Sequence, residues 1–110
     1  MKVTIYTIDE FERQAHRLSK KYKSFEKDLA SFLQEITDNP FQGADLGNGV
    51  RKIRLAITSK GKGKSGGARI LTLNVLVSDD AHVTLLTIYD KNEIENVSDD
   101  YISWLVGQAQ

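Results

Sequence analysis

The sequence predicts an α+β domain with the element order β-α-α-β-β-β-α. Three observations predict it. Apolar residues recur every three or four positions as far as Pro40, they recur every second position from Val50 to Tyr89, and a capped helical pattern returns after Ser98. Val3–Thr7 reads as a short strand. Thr7 and Glu10 form a capping-box pair ahead of Ile8, Phe11, Ala15 and Leu18, which predicts a first helix from about Ile8 to Lys20. Ser24 is the next expected N-cap. Phe25, Leu29, Phe32, Leu33 and Ile36 then share one helical face until Asn39-Pro40 ends it, so the two helices form a hairpin. Residues 41–49 carry three glycines and no periodicity, and read as a loop. In the strand Val50–Ile57, Arg51, Ile53, Leu55 and Ile57 fall on one face and Val50, Lys52, Arg54 and Ala56 on the other. Ala68–Val77 and His82–Tyr89 follow, joined by a turn at Ser78–Ala81, and the three strands form an antiparallel meander with the helical hairpin over one face. Ser98 caps a last helix whose apolar face is Tyr101, Ile102, Leu105 and Val106.

Length and composition bound the rest. At 110 residues the chain has no room for a second domain, so residues 1–110 read as a single domain. The absence of cysteine excludes a disulfide scaffold, thiolate metal centres and a cysteine nucleophile, and fits a reducing, cytoplasmic setting. No apolar run approaches the ~20 residues of a membrane span, and the first residues lack the apolar core of a signal peptide, so no membrane partner is expected. His16 and His82 each stand alone, without a carboxylate or second histidine at ligand spacing, and neither a metal nor a cofactor is expected.

Fifteen basic and fifteen acidic residues cancel to zero net charge, which on its face argues against a nucleic-acid partner. The charges are segregated, however. Between Leu46 and Ser78 lie Arg51, Lys52, Arg54, Lys60, Lys62, Lys64 and Arg69 without one acid, whereas the segment from Asp79 onward has seven acids against the single base Lys91. Like charges gathered on one surface repel unless a polyanion joins them, so the centre of the chain is a candidate phosphate-binding surface.

The segment Thr58–Gly67 is the most unusual. Gly61, Gly63 and Gly66 match G-x-G-x-x-G by spelling, and Gly63-Lys64-Ser65 imitates the end of a P-loop, but both motifs require a helix next and a β-branched, aliphatic strand follows instead. At a simpler level, glycines let backbone N–H groups approach an anion while Lys60, Lys62 and Lys64 place an ammonium at every second residue. Arg69 directly after the loop, with Lys52 and Arg54 on the adjoining strand, extends the same cationic surface.

Taken together, Val50-Arg-Lys-Ile-Arg-Leu, Lys60-Gly-Lys-Gly-Lys-Ser-Gly-Gly-Ala-Arg69-Ile and Leu85-Leu-Thr-Ile-Tyr-Asp-Lys91-Asn-Glu93 resemble the RelE-like toxins of bacterial toxin–antitoxin modules, above all the HigB-type branch. The resemblance covers about residues 46–95. It implies a RelE-like fold and a ribosome-dependent endoribonuclease that cuts messenger RNA without a metal. It also implies a cognate antitoxin, often a helix-turn-helix DNA-binding protein, that holds the toxin inactive. Position by position, Lys60, Lys62 and Lys64 correspond to the family's RNA-facing loop residues, Arg69 to the strand arginine that contacts the scissile phosphate, and Lys91 to the basic position after the last sheet strand. Asp90 stands where many relatives have glycine, and the tyrosine or histidine that some carry near the C-terminus has no clear counterpart.

Cleavage of this kind uses the RNA 2′-hydroxyl on its own 3′-phosphate, so the protein must position the strand, move two protons and stabilise a dianionic phosphorane. Arg69 is expected to do the last, because a guanidinium matches two phosphate oxygens at once. A lysine among Lys60, Lys62 and Lys64 would serve as acid or base if its cationic neighbours favour the neutral amine. Arg51, Lys52 and Arg54 suit ribosomal or messenger phosphates. Tyr89 offers a ring for an unpaired base to stack on, although alternation with Val83, Leu85 and Thr87 equally fits packing within the sheet. Trp104 suits either the core or an antitoxin contact. Two rival readings use the same residues: a non-catalytic or gyrase-inhibiting module on this fold, and a single-stranded RNA binder acting off the ribosome.

Overall fold

The structure, a computed structural model, describes residues 1–109. Its elements run β1 (Val3–Thr7), α1 (Asp9–Lys21), α2 (Phe25–Asp38), β2 (Ala44–Gly47), β3 (Val50–Leu55), β4 (Ala68–Val77), β5 (Asp80–Asp90) and α3 (Asp99–Gln108), with a 3-10 turn at Thr58–Lys60. The α+β class, the helical hairpin, the meander and the final helix are as the sequence predicts. The sheet, however, has five strands in the order β1-β5-β4-β3-β2. β1 lies parallel to β5, from Val3 opposite Ala81 to Thr7 opposite Leu85, and the other pairings are antiparallel.

Three local expectations are corrected. Residues 41–49 are not all loop, because β2 pairs with β3 through Ala44 opposite Lys52 and Asp45 opposite Arg51. The connection is Asn48-Gly49, both at positive φ (54° and 83°), which is what a two-residue hairpin turn needs to match the strand twist. Thr7 does not cap α1. It is the last residue of β1, Ile8 occupies the N-cap position without a side-chain bond, and the Glu10 carboxylate turns to Arg13, Gln14 and Tyr101. Ser24 sits at the N-cap of α2, but its hydroxyl bonds Asp28 and Ser59 instead. Ser98 does cap α3, accepting the Tyr101 N–H at 3.1 Å.

Each face of the sheet has its own apolar core. On the first, Ile53, Leu55, Ile70, Val83, Leu85 and Ile88 pack under Phe11, Leu18, Phe25, Phe32 and Ile36 of the helical hairpin. On the second, Val50, Leu71, Leu73, Leu86 and Tyr89 pack against Leu105 of α3. Strict alternation would put Tyr89 with Val83 and Leu85. It does not, because the β4–β5 register slips between Leu71–Thr87 and Thr72–Leu85. The extra residue, Leu86, reverses the alternation and sends Tyr89 to the second face.

The glycine-rich loop enters β4 through Gly67. A Cβ there would lie 2.0 Å from the Leu55 carbonyl oxygen and 3.0 Å from the Ile57 nitrogen, both backbone atoms that cannot swing aside. Gly67→Ala is therefore expected to force the β3 and β4 ends apart and cost about 1–3 kcal/mol of stability. Urea denaturation of the two proteins measures it, and an unchanged midpoint would contradict the close approach.

Candidate functional site

Where α3 leaves the second sheet face uncovered, a groove of about 600 Å³ opens. Five of the basic residues singled out in the sequence line it: Lys52 and Arg54 from β3, Lys64 from the glycine-rich loop, Arg69 from β4 and Lys91 just after β5. The sheet register explains the convergence. Arg54 stands opposite Arg69, and Arg69 opposite Tyr89, so the ends of three adjacent strands deliver their side chains to one place. Glu95 is the acid among the lining residues, and among the described residues none of the five cations forms a salt bridge.

Arg69 is buried, at 6% exposure. Its Nη1 donates to the carbonyls of Lys64 (3.0 Å) and Ala68 (3.1 Å), and its Nη2 to that of Ser65 (3.1 Å). These bonds fix the loop and take three of the five donors of a guanidinium, leaving Nε–H and one Nη2–H for a ligand. Burial first, and the like charge of Arg54 second, lower the Arg69 pKa from its ordinary value. A guanidinium stays charged at neutral pH even so. A buried cation beside another cation, with no carboxylate paired to it among the described residues, favours an anion in the groove.

Asp90, fully buried, explains why the loop has a fixed shape. Its carboxylate accepts from Lys60 Nζ at 2.8 Å, from Lys21 Nζ at 3.4 Å, from the Tyr22 hydroxyl and from the Asn92 N–H at 2.9 Å. Burial alone raises its pKa. The hydrogen bonds from Lys60, Tyr22 and Asn92 and the charge of Lys60 outweigh burial and hold it well below the usual carboxylate range. Asp28 fixes the start of the same loop, accepting the Thr58 N–H (2.9 Å) and hydroxyl (2.6 Å).

The other residues named from the sequence lie elsewhere. Lys60 does not face the groove: its side chain is 6% exposed and is spent on Asp90. The 3-10 turn folds it inward, so the spaced lysines are not one continuous row. Lys62 is exposed, its stem lying over Gly66 and outside the groove lining. Arg51 turns to the β2 side, where its guanidinium donates to the carbonyls of Gln42 and Gly43, both at 2.9 Å, and anchors that segment. Tyr89 is 3% exposed, so stacking on its ring is closed, and its hydroxyl is buried without a hydrogen-bond partner among the described residues. Trp104 is half-exposed on α3 and stacks on Tyr101. Sequence reasoning missed Glu95 and Asn96 on the groove wall, where no periodicity or motif marks them.

The acidic segment after Asp79 does not blanket the cations. Glu93 is held by Arg17 (3.1 Å) and Lys21 (3.5 Å) of α1, and Asp90 is turned to the first sheet face. Among the described residues no helix is long and apolar enough to cross a membrane. A family model described as the RelE toxin of the RelE/RelB toxin–antitoxin system matches residues 4–110.

Proposed function

The chain belongs to the RelE toxin family of toxin–antitoxin systems, and from that premise we propose that it is a cytoplasmic, ribosome-dependent endoribonuclease that cuts messenger RNA and is neutralised by a cognate antitoxin. The observation that carries the reading is the groove itself, where four cations, free of salt bridges among the described residues, surround a buried arginine that keeps two donors. Its place in the HigB-type branch rests on the Lys60–Arg69 and Leu85–Glu93 motifs, and the expected antitoxin is a helix-turn-helix DNA-binding protein.

In this mechanism the 2′-hydroxyl attacks its own 3′-phosphate, the P–O5′ bond breaks, and the products are a 2′,3′-cyclic phosphate and a 5′-hydroxyl. Arg69 binds the phosphoryl oxygens through Nε–H and Nη2–H, and its hold tightens as the phosphorane gathers charge. Lys64 and Lys91 flank it, to take the 2′-proton and to supply one to the leaving oxygen. Lys52 and Arg54 hold the neighbouring phosphates. Lys62, on the exposed loop, contacts ribosomal or messenger phosphate before the strand is seated.

A purified translation system tests the proposal. Message is expected to be cut when ribosomes are present and left whole when they are withheld. Intact message together with inhibited gyrase would favour the protein-targeting reading, and equal cleavage of naked RNA would favour action off the ribosome.

A further inference from the structure

The β4–β5 hairpin outruns the strand beside it. β3 ends with Val50 opposite Leu73, and the Asn74 N–H donates to the Gly49 carbonyl at 2.8 Å, so from Val75 onward β4 has no neighbouring strand on that side among the described residues. Val75, Leu76 and Val77 project there, all exposed, and they are the one consecutive run of exposed large apolar side chains among the described residues. The turn at Ser78 and Asp79 closes the tip, with Val77 opposite Asp80. Asp80 accepts the Lys2 N–H at 3.1 Å, whereas Asp79 is exposed and takes no part in a salt bridge among the described residues. An unpaired apolar strand edge of this kind is prone to associate.

A surface that matches this tip lies at the other end of the same sheet. The cationic groove adjoins a second one, of about 780 Å³, between the β2–β3 hairpin and α3, and Lys52 and Asn96 line both. The first sets five cations against Glu95, and the second is walled by Val50, Val97, Ile102 and Val106. Cations next to an aliphatic wall complement an acid next to a run of aliphatics. The tip cannot reach its own grooves, because Arg69 and Val77 stand near opposite ends of the ten-residue strand β4, which puts about 26 Å between them. We propose that the chain associates head to tail with a second copy of itself, the Val75–Asp79 tip of one copy seated in the joined grooves of the next. Asp79 then lies among the cations and the aliphatic run lies on the aliphatic wall. A contact of this kind is heterologous, so it repeats from copy to copy into a ring or an open chain. The tip is too small to bury the ~1,200 Å² of a stable complex, so the association is weak and depends on salt. It uses the cations assigned above to RNA, and a groove filled in this way is closed to message.

Sedimentation velocity of the purified full chain over a concentration series, at about 20 mM and about 300 mM salt, is the test, since the higher salt screens charges more than about 6 Å apart. The sedimentation coefficient is expected to rise with concentration at the lower salt and to stay that of a monomer at the higher. Asp79→Lys reverses the charge of the tip and Lys52→Glu that of the residue shared by the two grooves, and each should weaken association at least about tenfold. Thermal melts followed by circular dichroism check that both variants are folded. Mixing the two should restore association, because the intact tip of the Lys52→Glu protein fits the intact grooves of the Asp79→Lys protein. A wild type that stays monomeric at every concentration in low salt overturns the proposal. Association that neither variant weakens overturns it too, and so does a mixture no more associated than either variant alone. None of these measurements uses RNA, so the self-association and the proposed cleavage stand or fall separately.

Discussion

Arg69→Ala is expected to lower message cleavage on the ribosome by at least about a hundredfold, the scale of removing a donor aimed at developing charge in a transition state. Three features of the fold set that size. The guanidinium is buried, two of its five donors are not bonded within the fold, and Arg54 beside it supplies cationic field but no buried fork. The same substitution releases the carbonyls of Lys64, Ser65 and Ala68, so a stability loss of about 1–3 kcal/mol accompanies it. Thermal melting followed by circular dichroism separates the two effects, since the variant must be folded at the assay temperature for its inactivity to count. Arg69→Lys is the sharper variant. It keeps the charge but cannot offer two phosphate donors while holding three carbonyls, and should remain folded with activity reduced nearly as far. Near wild-type cleavage by either variant removes Arg69 from the mechanism.

Asp90→Asn is expected to cost about 3–5 kcal/mol, because it strands the Lys60 ammonium in a site built for a carboxylate. The effect is larger than for a surface ion pair, since Lys60 and Asp90 are 6% and 0% exposed. The pH dependence has a definite sign. The folded carboxyl titrates well below its unfolded value near 4, so the ionised form stabilises the fold fully above that value. Its contribution falls away as pH drops below about 4 toward the folded pKa. Denaturation midpoints from pH 6 to pH 3 should therefore fall for wild type and fall less for Asp90→Asn. Parallel curves would show that Asp90 does not carry this linkage. Because Asp90 ties the glycine-rich loop to α1 and the end of β5, the variant should also bind RNA less well at temperatures where it is folded.

Particular residues show what the sequence discloses and what it withholds. The helical hairpin and the three long strands are legible because their apolar periodicity is unbroken and Pro40 marks the boundary. β2 is only four residues long, all exposed, and has no alternation to read. The Asn48-Gly49 dipeptide is the available mark of that hairpin, and it is obscured by three glycines in nine residues. The parallel pairing of β1 with β5 joins residues almost eighty positions apart, and local pattern carries no record of it. The face of Tyr89 depends on one extra residue at Leu86, which alternation counted from Val83 cannot show.

The site was legible as composition more than as geometry. Lys52, Arg54, Lys64, Arg69 and Lys91 do converge on one groove. Lys60 looks equivalent to Lys62 and Lys64 in a Lys-Gly repeat, and only a buried acid thirty residues away distinguishes it. That acid is Asp90, and its ion pair with Lys60 holds the loop. Zero net charge is reconciled with a cationic groove in the same way. Glu93 and Asp90 are bound to Arg17, Lys21 and Lys60, leaving Glu95 as the acid on the groove wall.

The most direct measurement is the chemistry of the ends left on a ribosome-bound message by the purified protein. A groove that positions the strand and stabilises a phosphorane through Arg69 predicts 2′,3′-cyclic phosphate or 3′-phosphate on the upstream fragment and a 5′-hydroxyl on the downstream one, both absent with Arg69→Ala. Upstream fragments ending in a 3′-hydroxyl, or the same cuts from Arg69→Ala as from wild type, would contradict it.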